Sequence, residues 1–109
     1  MEKNDLMNKL KECIEACGNC ISSCLKEENV DNMRECIASD IDCLDICSSA
    51  LKFLSRDSSN QDVLLKACIE VCQNCEKSCR EHDMDHCQKC ADACKACKEA
   101  CESHLALAA

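Results

Sequence analysis

The chain has 109 residues, a length that suits one domain with a modest core. It contains 16 cysteines but only one aromatic residue, one glycine and no proline, so bulky core side chains are scarce and helix interruptions are few. Because 21 Asp and Glu outnumber 13 Lys and Arg, the net charge of −8 argues against nucleic acid and anionic membrane surfaces as partners.

Four helical segments are predicted along the chain, at about residues 5–28, 30–56, 61–81 and 84–105. Asn29 or Asp31 is a candidate N-cap of the second helix and Asp83 of the fourth, because short polar side chains bond free amides at helix starts. The connections are short, which predicts antiparallel neighbours. We therefore expect an all-α, up-down four-helix bundle, with residues 1–109 forming a single domain.

Cysteines recur along every predicted helix with gaps of 3, 4 or 7 residues. This spacing places each set on one face of its helix, so we expect the sulfurs to line the core. The cysteines, all candidate metal ligands, are Cys13, Cys17, Cys20, Cys24, Cys36, Cys43, Cys47, Cys68, Cys72, Cys75, Cys79, Cys87, Cys90, Cys94, Cys97 and Cys101.

An internal repeat relates the two halves of the chain. KECIEACGNCISSC, from Lys11, matches KACIEVCQNCEKSC, from Lys66, at an offset of 55, and the second helix matches the fourth at an offset of 54. The bundle is therefore predicted to be a duplicated helical hairpin. In this register Met33 corresponds to Cys87 and Asp40 to Cys94, so two cysteine positions hold a thioether and a carboxylate in the first half.

The thiol spacing favours copper(I) as the bound species. Side chains three or four residues apart on a helix have Cβ atoms about 5–6 Å apart, so two thiolates can hold one soft metal ion. One copper(I) per thiolate leaves a nearly neutral core, whereas zinc held by four thiolates leaves two surplus charges at each site. Buried unpaired charge costs several kcal/mol per ion, so we expect storage of multiple copper(I) ions.

Several alternatives remain open beside copper storage. Zinc or general soft-metal buffering uses the same thiols, and an iron–sulfur electron carrier needs four converging thiolates. Cysteines can also serve as small core residues or as disulfides, although so many in the middle of a bundle fill it poorly. A thiol redox enzyme needs one activated cysteine in an electropositive site, and no nucleophile–base pair or phosphate loop is evident. We therefore expect a protein that is not an enzyme.

The two ends of the predicted bundle differ in composition. One end, the leucine plug, collects Leu6, Leu10, Leu51, Leu54, Leu64, Leu65 and Leu105. The other end, the mouth, collects Met33, His82, Met84 and His86. Thioether and imidazole ligands are weaker than thiolate clusters for copper(I), so we predict that copper enters at the mouth. His104, at the plug end, is expected to be a surface residue.

The first two helices carry an apolar stripe that the second half replaces with mostly polar residues. The stripe comprises Ile14, Gly18, Ile21, Leu25, Ile37, Ile41 and Leu44. Because the same bundle tolerates Gln73, Glu76 and Arg80 at matching positions, we interpret the stripe as a self-association surface of helices one and two. A wider core stripe is the alternative.

Taken together, these segments resemble the cytosolic branch of the bacterial copper storage proteins. The resemblance rests on the CxxxCxxCxxxC runs at residues 13–24 and 68–79, on HDMDHCQKCADACKACKEAC and on ENVDNMREC. It implies a four-helix bundle with inward thiolates that bind many copper(I) ions, histidine and methionine at one open end, and a homotetramer. The chain departs from the family pattern in its short N-terminal part, its cysteine count and Asp40.

The sequence also predicts a cytoplasmic protein. No apolar run is long enough to span a bilayer, and the N-terminal MEKNDLMNKLKEC lacks the apolar run of a signal peptide. In a reducing compartment, cysteines are expected to be thiols or metal ligands rather than a disulfide framework.

Overall fold

A computed structural model of the chain describes residues 2–108, and side chains over residues 2–106. Four long helices account for most of the fold: α1 (Lys3–Leu25), α2 (Arg34–Ser55), α3 (Gln61–Arg80) and α4 (Asp85–Ala108). Each helix packs against the helices before and after it, and α1 also packs against α4. The result is a square up-down bundle of 45 × 19 × 18 Å, which confirms the predicted all-α fold.

The first connection differs from the prediction, because α2 begins at Arg34 rather than near residue 30. Val30–Met33 instead form one turn of 3₁₀-helix, in which the Asn32 amide donates to the Asn29 carbonyl at 3.0 Å. The Asn29 side chain makes no capping hydrogen bond, and Asp31 pairs with Arg34 at 3.0 Å. The tight turn places Met33 inside the core, where only 1% of its surface is exposed.

The second connection begins with a turn at Asp57 that ends α2. The Ser58 amide donates to the Phe53 carbonyl at 3.0 Å, and the Asp57 amide donates to the Leu54 carbonyl at 3.1 Å. This pair of bonds is the Schellman motif, which needs a left-handed residue between the helix end and the following residue. Asp57 supplies it with φ of 52°, a conformation that aspartate tolerates better than most residues.

The third connection brings the fourth helix in beside α3. The Met84 carbonyl accepts hydrogen bonds from the amides of Cys87 and Gln88, both at 3.1 Å. Because α4 begins at Asp85, Asp83 lies outside the first turn for which it was the predicted cap. Arg80, at the end of α3, forms a salt bridge with Asp92 of α4, with 2.6 Å between Nη2 and Oδ1.

The core runs the length of the bundle axis and changes composition along it. At the end where α1 and α3 begin, it is built from four fully buried leucines, Leu6, Leu10, Leu54 and Leu65. Leu51, Leu64 and Leu105 pack around them, so the predicted leucine plug is present. Beyond the plug, cysteines dominate the buried side chains. Among residues 2–108, none of the helices combines the length and apolar character needed to cross a bilayer.

Candidate metal centre

All 16 cysteines are free thiols, and each has none of its surface exposed. The helical periodicity explains this, because gaps of three, four and seven residues keep every sulfur on the stripe that faces the bundle axis. The prediction that the sulfurs point inward is confirmed. A disulfide framework is not formed in this structure, where every thiol is unpaired.

Groups of four potential ligand atoms, which we call rungs, follow one another along the axis. The atoms of each rung lie within 4.8 Å of one another. From the leucine plug to the mouth, five of these rungs are Cys13, Cys47, Cys72 and Cys97; Cys13, Cys17, Cys43 and Cys94; Cys17, Cys75, Cys90 and Cys94; Cys20, Asp40, Cys79 and Cys90; and Cys20, Cys24, His86 and Cys87. Successive rungs share a cysteine, so the ligands form a continuous stack.

The plug-side rungs consist of sulfur alone and draw on all four helices. The sulfur of Cys43 lies 3.7 Å from that of Cys13, 3.6 Å from that of Cys72 and 3.8 Å from that of Cys94. Two thiolates that hold one metal tetrahedrally at about 2.3 Å are themselves about 3.8 Å apart. The helices therefore already hold these sulfurs at the spacing that metal–thiolate bonding needs.

The fourth rung contains Asp40, which is the only buried side chain of a polar or charged residue among the described residues. Its Oδ1 accepts hydrogen bonds from the thiols of Cys75 at 3.2 Å, Cys79 at 3.4 Å and Cys90 at 3.2 Å. The sulfur of Cys36, one turn before it, lies 3.9 Å from Oδ2. The carboxyl group therefore takes the place of a sulfur, as the internal repeat predicted, and is surrounded by thiols from α3 and α4.

Asp40 is uncharged in this setting. Burial, followed by the negative charge that Cys90 and Cys75 can carry, raises the pKa of Asp40 to about 12. The side chain is consequently a neutral acid at physiological pH, and its oxygen serves as an acceptor for thiol protons. This protonation state avoids an unpaired charge in the core.

The rung at the mouth combines three thiols with one imidazole. His86 Nδ1 lies 3.7 Å from the sulfur of Cys20, 3.8 Å from that of Cys24 and 3.5 Å from that of Cys87. The His86 side chain keeps 15% of its surface exposed, so it borders both solvent and the thiols. It is placed to meet an ion before the buried rungs do.

Protonation also distinguishes the thiols of this rung. Hydrogen bonds from Cys36 and Cys79 lower the pKa of Cys20 to about 5. Burial raises the pKa of Cys24 and of Cys87. Although burial opposes its charged form, hydrogen bonds to Cys20 and Glu27 raise the pKa of His86. The lowered pKa favours the thiolate, the form that binds metal, at Cys20 beside the His86 ring.

Comparison with known proteins identifies the family. Residues 1–106 match the sequence profile of the family described as Csp, copper storage protein. The chain belongs to the copper storage protein family. A cysteine-rich protein of Bacillus subtilis (strain 168), YhjQ, is 39% identical over 80 residues, which are 73% of this chain and 74% of the relative.

Solved structures of copper storage proteins share the fold closely. The Cu(I)-bound copper storage protein BsCsp3 is 35% identical, with a TM-score of 0.90 over 94% of this chain and 97% of that one. The copper storage protein Ccsp of Streptomyces lividans, loaded with 10 copper equivalents, is 34% identical, with a TM-score of 0.92 over 95% and 83% of the two chains. Another structure from that organism is described as a cytosolic copper storage protein with five coppers.

The other predicted mouth residues of this copper storage protein differ in their burial and in their contacts with the thiols. Met33 is buried, and Met84 is half-buried and packed against the core. His82 is half-buried, and its backbone carbonyl accepts a hydrogen bond from the Gln88 side-chain Nε2 at 2.6 Å. Among the described residues, the His82 ring makes no hydrogen bond to a sulfur. The structure therefore brings His86, but not His82, into contact with the thiols.

Two features of the structure escaped the sequence analysis. Glu27 Oε1 lies 3.1 Å from His86 Nε2, so the carboxylate holds the ring with Nδ1 turned towards the sulfurs. The available signal was its position three residues after Cys24, just past the end of α1. His104, expected at the surface, is half-buried, and its Nδ1 is buried without a hydrogen-bond partner among the described residues.

Proposed function

We propose that this chain stores copper(I) in the cytoplasm and binds many ions through its core thiolates, with no catalytic role. The observation that carries the proposal is the stack of rungs, in which completely buried thiols approach one another within bonding range of a shared metal. Family membership and the copper-bound relatives support the same conclusion. The description of a relative as cytosolic supports the location.

The proposed copper ligands are the 16 cysteines, with a secondary role for Met33, His82, Met84 and His86 at the mouth. Charge supports copper(I) over a divalent ion. Each thiol that binds metal loses a proton, and one copper(I) per thiolate cancels the charge that remains. The described core contains no lysine or arginine that could neutralise an excess of thiolates. A divalent ion held by four separate thiolates leaves that excess buried.

Anaerobic titration of the reduced protein with copper(I), in competition with a strong chelator, tests this function. We expect binding close to one copper per cysteine, about 16 per chain. A parallel zinc titration serves as the comparison, because zinc buffering predicts about four ions, one for each four thiolates. Zinc bound at that ratio while copper(I) stays with the chelator would contradict copper storage.

We further propose that copper enters through the rung at the mouth. His86 is the exposed member of that rung, and Glu27 fixes the ring so that Nδ1 faces the sulfurs. The opposite end is closed by fully buried leucines. An ion that meets His86 and the Cys20 thiolate can pass from rung to rung through shared cysteines without leaving sulfur coordination.

Replacing the imidazole tests this route. We expect His86→Ala to slow copper(I) uptake about tenfold in stopped-flow absorbance, the effect of about 1.4 kcal/mol on the entry barrier, with total capacity nearly unchanged. His82→Ala is the matched control, since its ring does not contact the thiols, and it should slow uptake much less. Equal rates for wild type and His86→Ala would exclude the mouth as the entry.

We propose that the chain forms a homo-oligomer, a tetramer by family resemblance, through α1 and α2. Leu25 and Ile41 expose 59% and 45% of their surfaces on these helices. A Cβ built at Gly18 would meet Leu44 at 3.8 Å, an ordinary contact, so packing within the chain does not require glycine there. Ile14, Ile37 and Leu44 pack partly against the core, so the association surface centres on the more exposed members of the stripe.

Charge introduced on this stripe should produce a monomer. We expect Leu25→Lys combined with Ile41→Lys to reduce the molar mass measured by light scattering to that of one chain, because lysine ammonium groups resist burial in an apolar contact. Val63→Lys is the matched control, since Val63 exposes 67% of its surface outside the stripe. A variant that keeps the wild-type mass would show that the surface lies elsewhere.

A further inference from the structure

The ligand pattern of α4 continues one step beyond its last sulfur. Along this helix the gaps from Cys87 to Cys101 alternate three, four, three and four residues, and a further gap of three leads to His104. This alternation keeps side chains on the stripe that faces the bundle axis. His104 therefore occupies the next position of the cysteine stripe, at the level of the leucine plug.

The structure buries one nitrogen of this side chain. His104 is half-buried, and its Nδ1 is buried with no hydrogen-bond partner among the described residues. A buried polar atom without a partner destabilises a fold. The bundle does not require one here, because the residue of α2 that matches His104 in the internal repeat is the buried Ala50. Packing alone therefore does not account for the imidazole.

The thiols at the plug-side end of the stack lie about one helical turn away. Cys101 precedes His104 by three residues, so their Cβ atoms are about 5–6 Å apart. Side chains of a helix lean towards its N-terminus, which directs the imidazole over the turn that holds Cys101. Hydrogen bonds with Cys68 and Cys97, followed by burial, raise the pKa of the Cys101 thiol. Sulfurs from two helices and one unpartnered nitrogen thus occupy adjoining levels of the bundle.

A copper(I) ion at this end of the stack has sulfur on one side only. On the other side lie the fully buried leucines of the plug, which offer no lone pair. An imidazole nitrogen is a suitable ligand for copper. The neutral ring also leaves unchanged the balance of one copper(I) per thiolate. Binding gives Nδ1 the partner that it lacks in the metal-free fold.

We propose that Cys68, Cys101 and His104 form a copper(I) site at the closed end of the stack, with His104 Nδ1 as a ligand. This inference rests on the copper-storage function proposed above. The site ends the path that begins at His86, so an imidazole stands at each end of the column of sulfurs.

Long-range ¹H–¹⁵N NMR of protein labelled with ¹⁵N-histidine tests the ligand directly. Copper(I) is diamagnetic, so the ring resonances remain visible, and the shift of a nitrogen changes when it binds a metal. We expect full copper loading to shift the His104 Nδ1 resonance strongly and the Nε2 resonance much less. The His104→Leu variant assigns the signals by their loss. An Nδ1 resonance that is the same in metal-free and loaded wild type would overturn the proposal.

Competition with a strong copper(I) chelator measures what the nitrogen contributes. His104→Leu extends the leucine plug, so we expect the metal-free variant to fold and to be at least as thermally stable as the wild type. One copper per chain should be held about tenfold more weakly in this variant. Ser103→Leu makes the same change on the exposed side of α4 and should match the wild type. Identical competition curves for wild type and His104→Leu would contradict a ligand role for the ring.

The same samples distinguish failure of this site from failure of the proposed function. Copper content is measured before each spectrum is recorded. A wild-type protein that carries close to one copper per cysteine, with the His104 resonances unmoved, stores copper without this site. A wild-type protein that carries little copper refutes storage itself.

Discussion

Loading the reduced protein with copper(I) is expected to raise its unfolding temperature by about 20 °C or more. A site that is filled at about 100 times its dissociation constant, and only in the folded state, stabilises that state by about 2.7 kcal/mol. Each kcal/mol shifts the midpoint of a domain of about 100 residues by about 4–8 °C. Two such sites already reach this shift, and the rungs offer more. Differential scanning calorimetry under anaerobic conditions measures the effect.

Serine substitutions locate the origin of this stabilisation. Cys43→Ser removes a thiol with close sulfur neighbours on three other helices, so copper can no longer tie the four helices together at that rung. We expect the copper-induced shift to fall by several degrees in this variant. Cys101→Ser, at the plug end of the stack, is the conservative control and should lose less. A shift of only a few degrees in the loaded wild type would contradict thiolate-held copper in the core.

Relative to the Asp40→Asn variant, the metal-free protein is expected to lose stability as the pH rises from 5 to 7.5, because Asp40 is buried in its protonated form. Its pKa is about 12 in the folded chain and about 3.9 when unfolded. Between these values the folded state keeps a proton that the unfolded state releases, so the free energy of unfolding falls with pH. The slope contributed by one such group is at most about 1.4 kcal/mol per pH unit. The stabilising effect is complete below about pH 4.

Chemical denaturation of the reduced, metal-free protein across this pH range measures the slope. Asp40→Asn keeps the shape of the side chain without a titrating group, so the free energy of unfolding of the wild type should fall with pH relative to that of this variant. Asp42→Asn, which changes an exposed carboxyl two residues away, should keep the wild-type slope. Parallel slopes for wild type and Asp40→Asn would show that the buried carboxyl does not govern the pH dependence.

The inward sulfurs and the bundle could be predicted because their signal is local and repeated. The gaps between cysteines specify one helix face by geometry alone, and the 55-residue repeat supplies the hairpin symmetry. The leucines at one end follow from the same periodicity. Asp40 could also be placed in a cysteine position from the repeat, since its matching residue is Cys94.

What could not be predicted depends on contacts between helices. The three thiols that donate to Asp40 come from α3 and α4, and no sequence spacing links them to α2. His82 and His86 looked equivalent as mouth residues, but only the packing of α4 against α1 turns His86 towards Cys20 and Glu27. The 3₁₀ turn before α2 brings Met33 into the core, a tertiary contact that local propensity does not encode.

Crystals of the copper-loaded protein, measured at wavelengths on both sides of the copper absorption edge, locate the metal most directly. We predict anomalous density along the bundle axis between the leucine plug and His86, within bonding distance of the cysteine sulfurs in successive rungs. Copper on the surface carboxylates, with the axial thiols left unligated, would contradict the account.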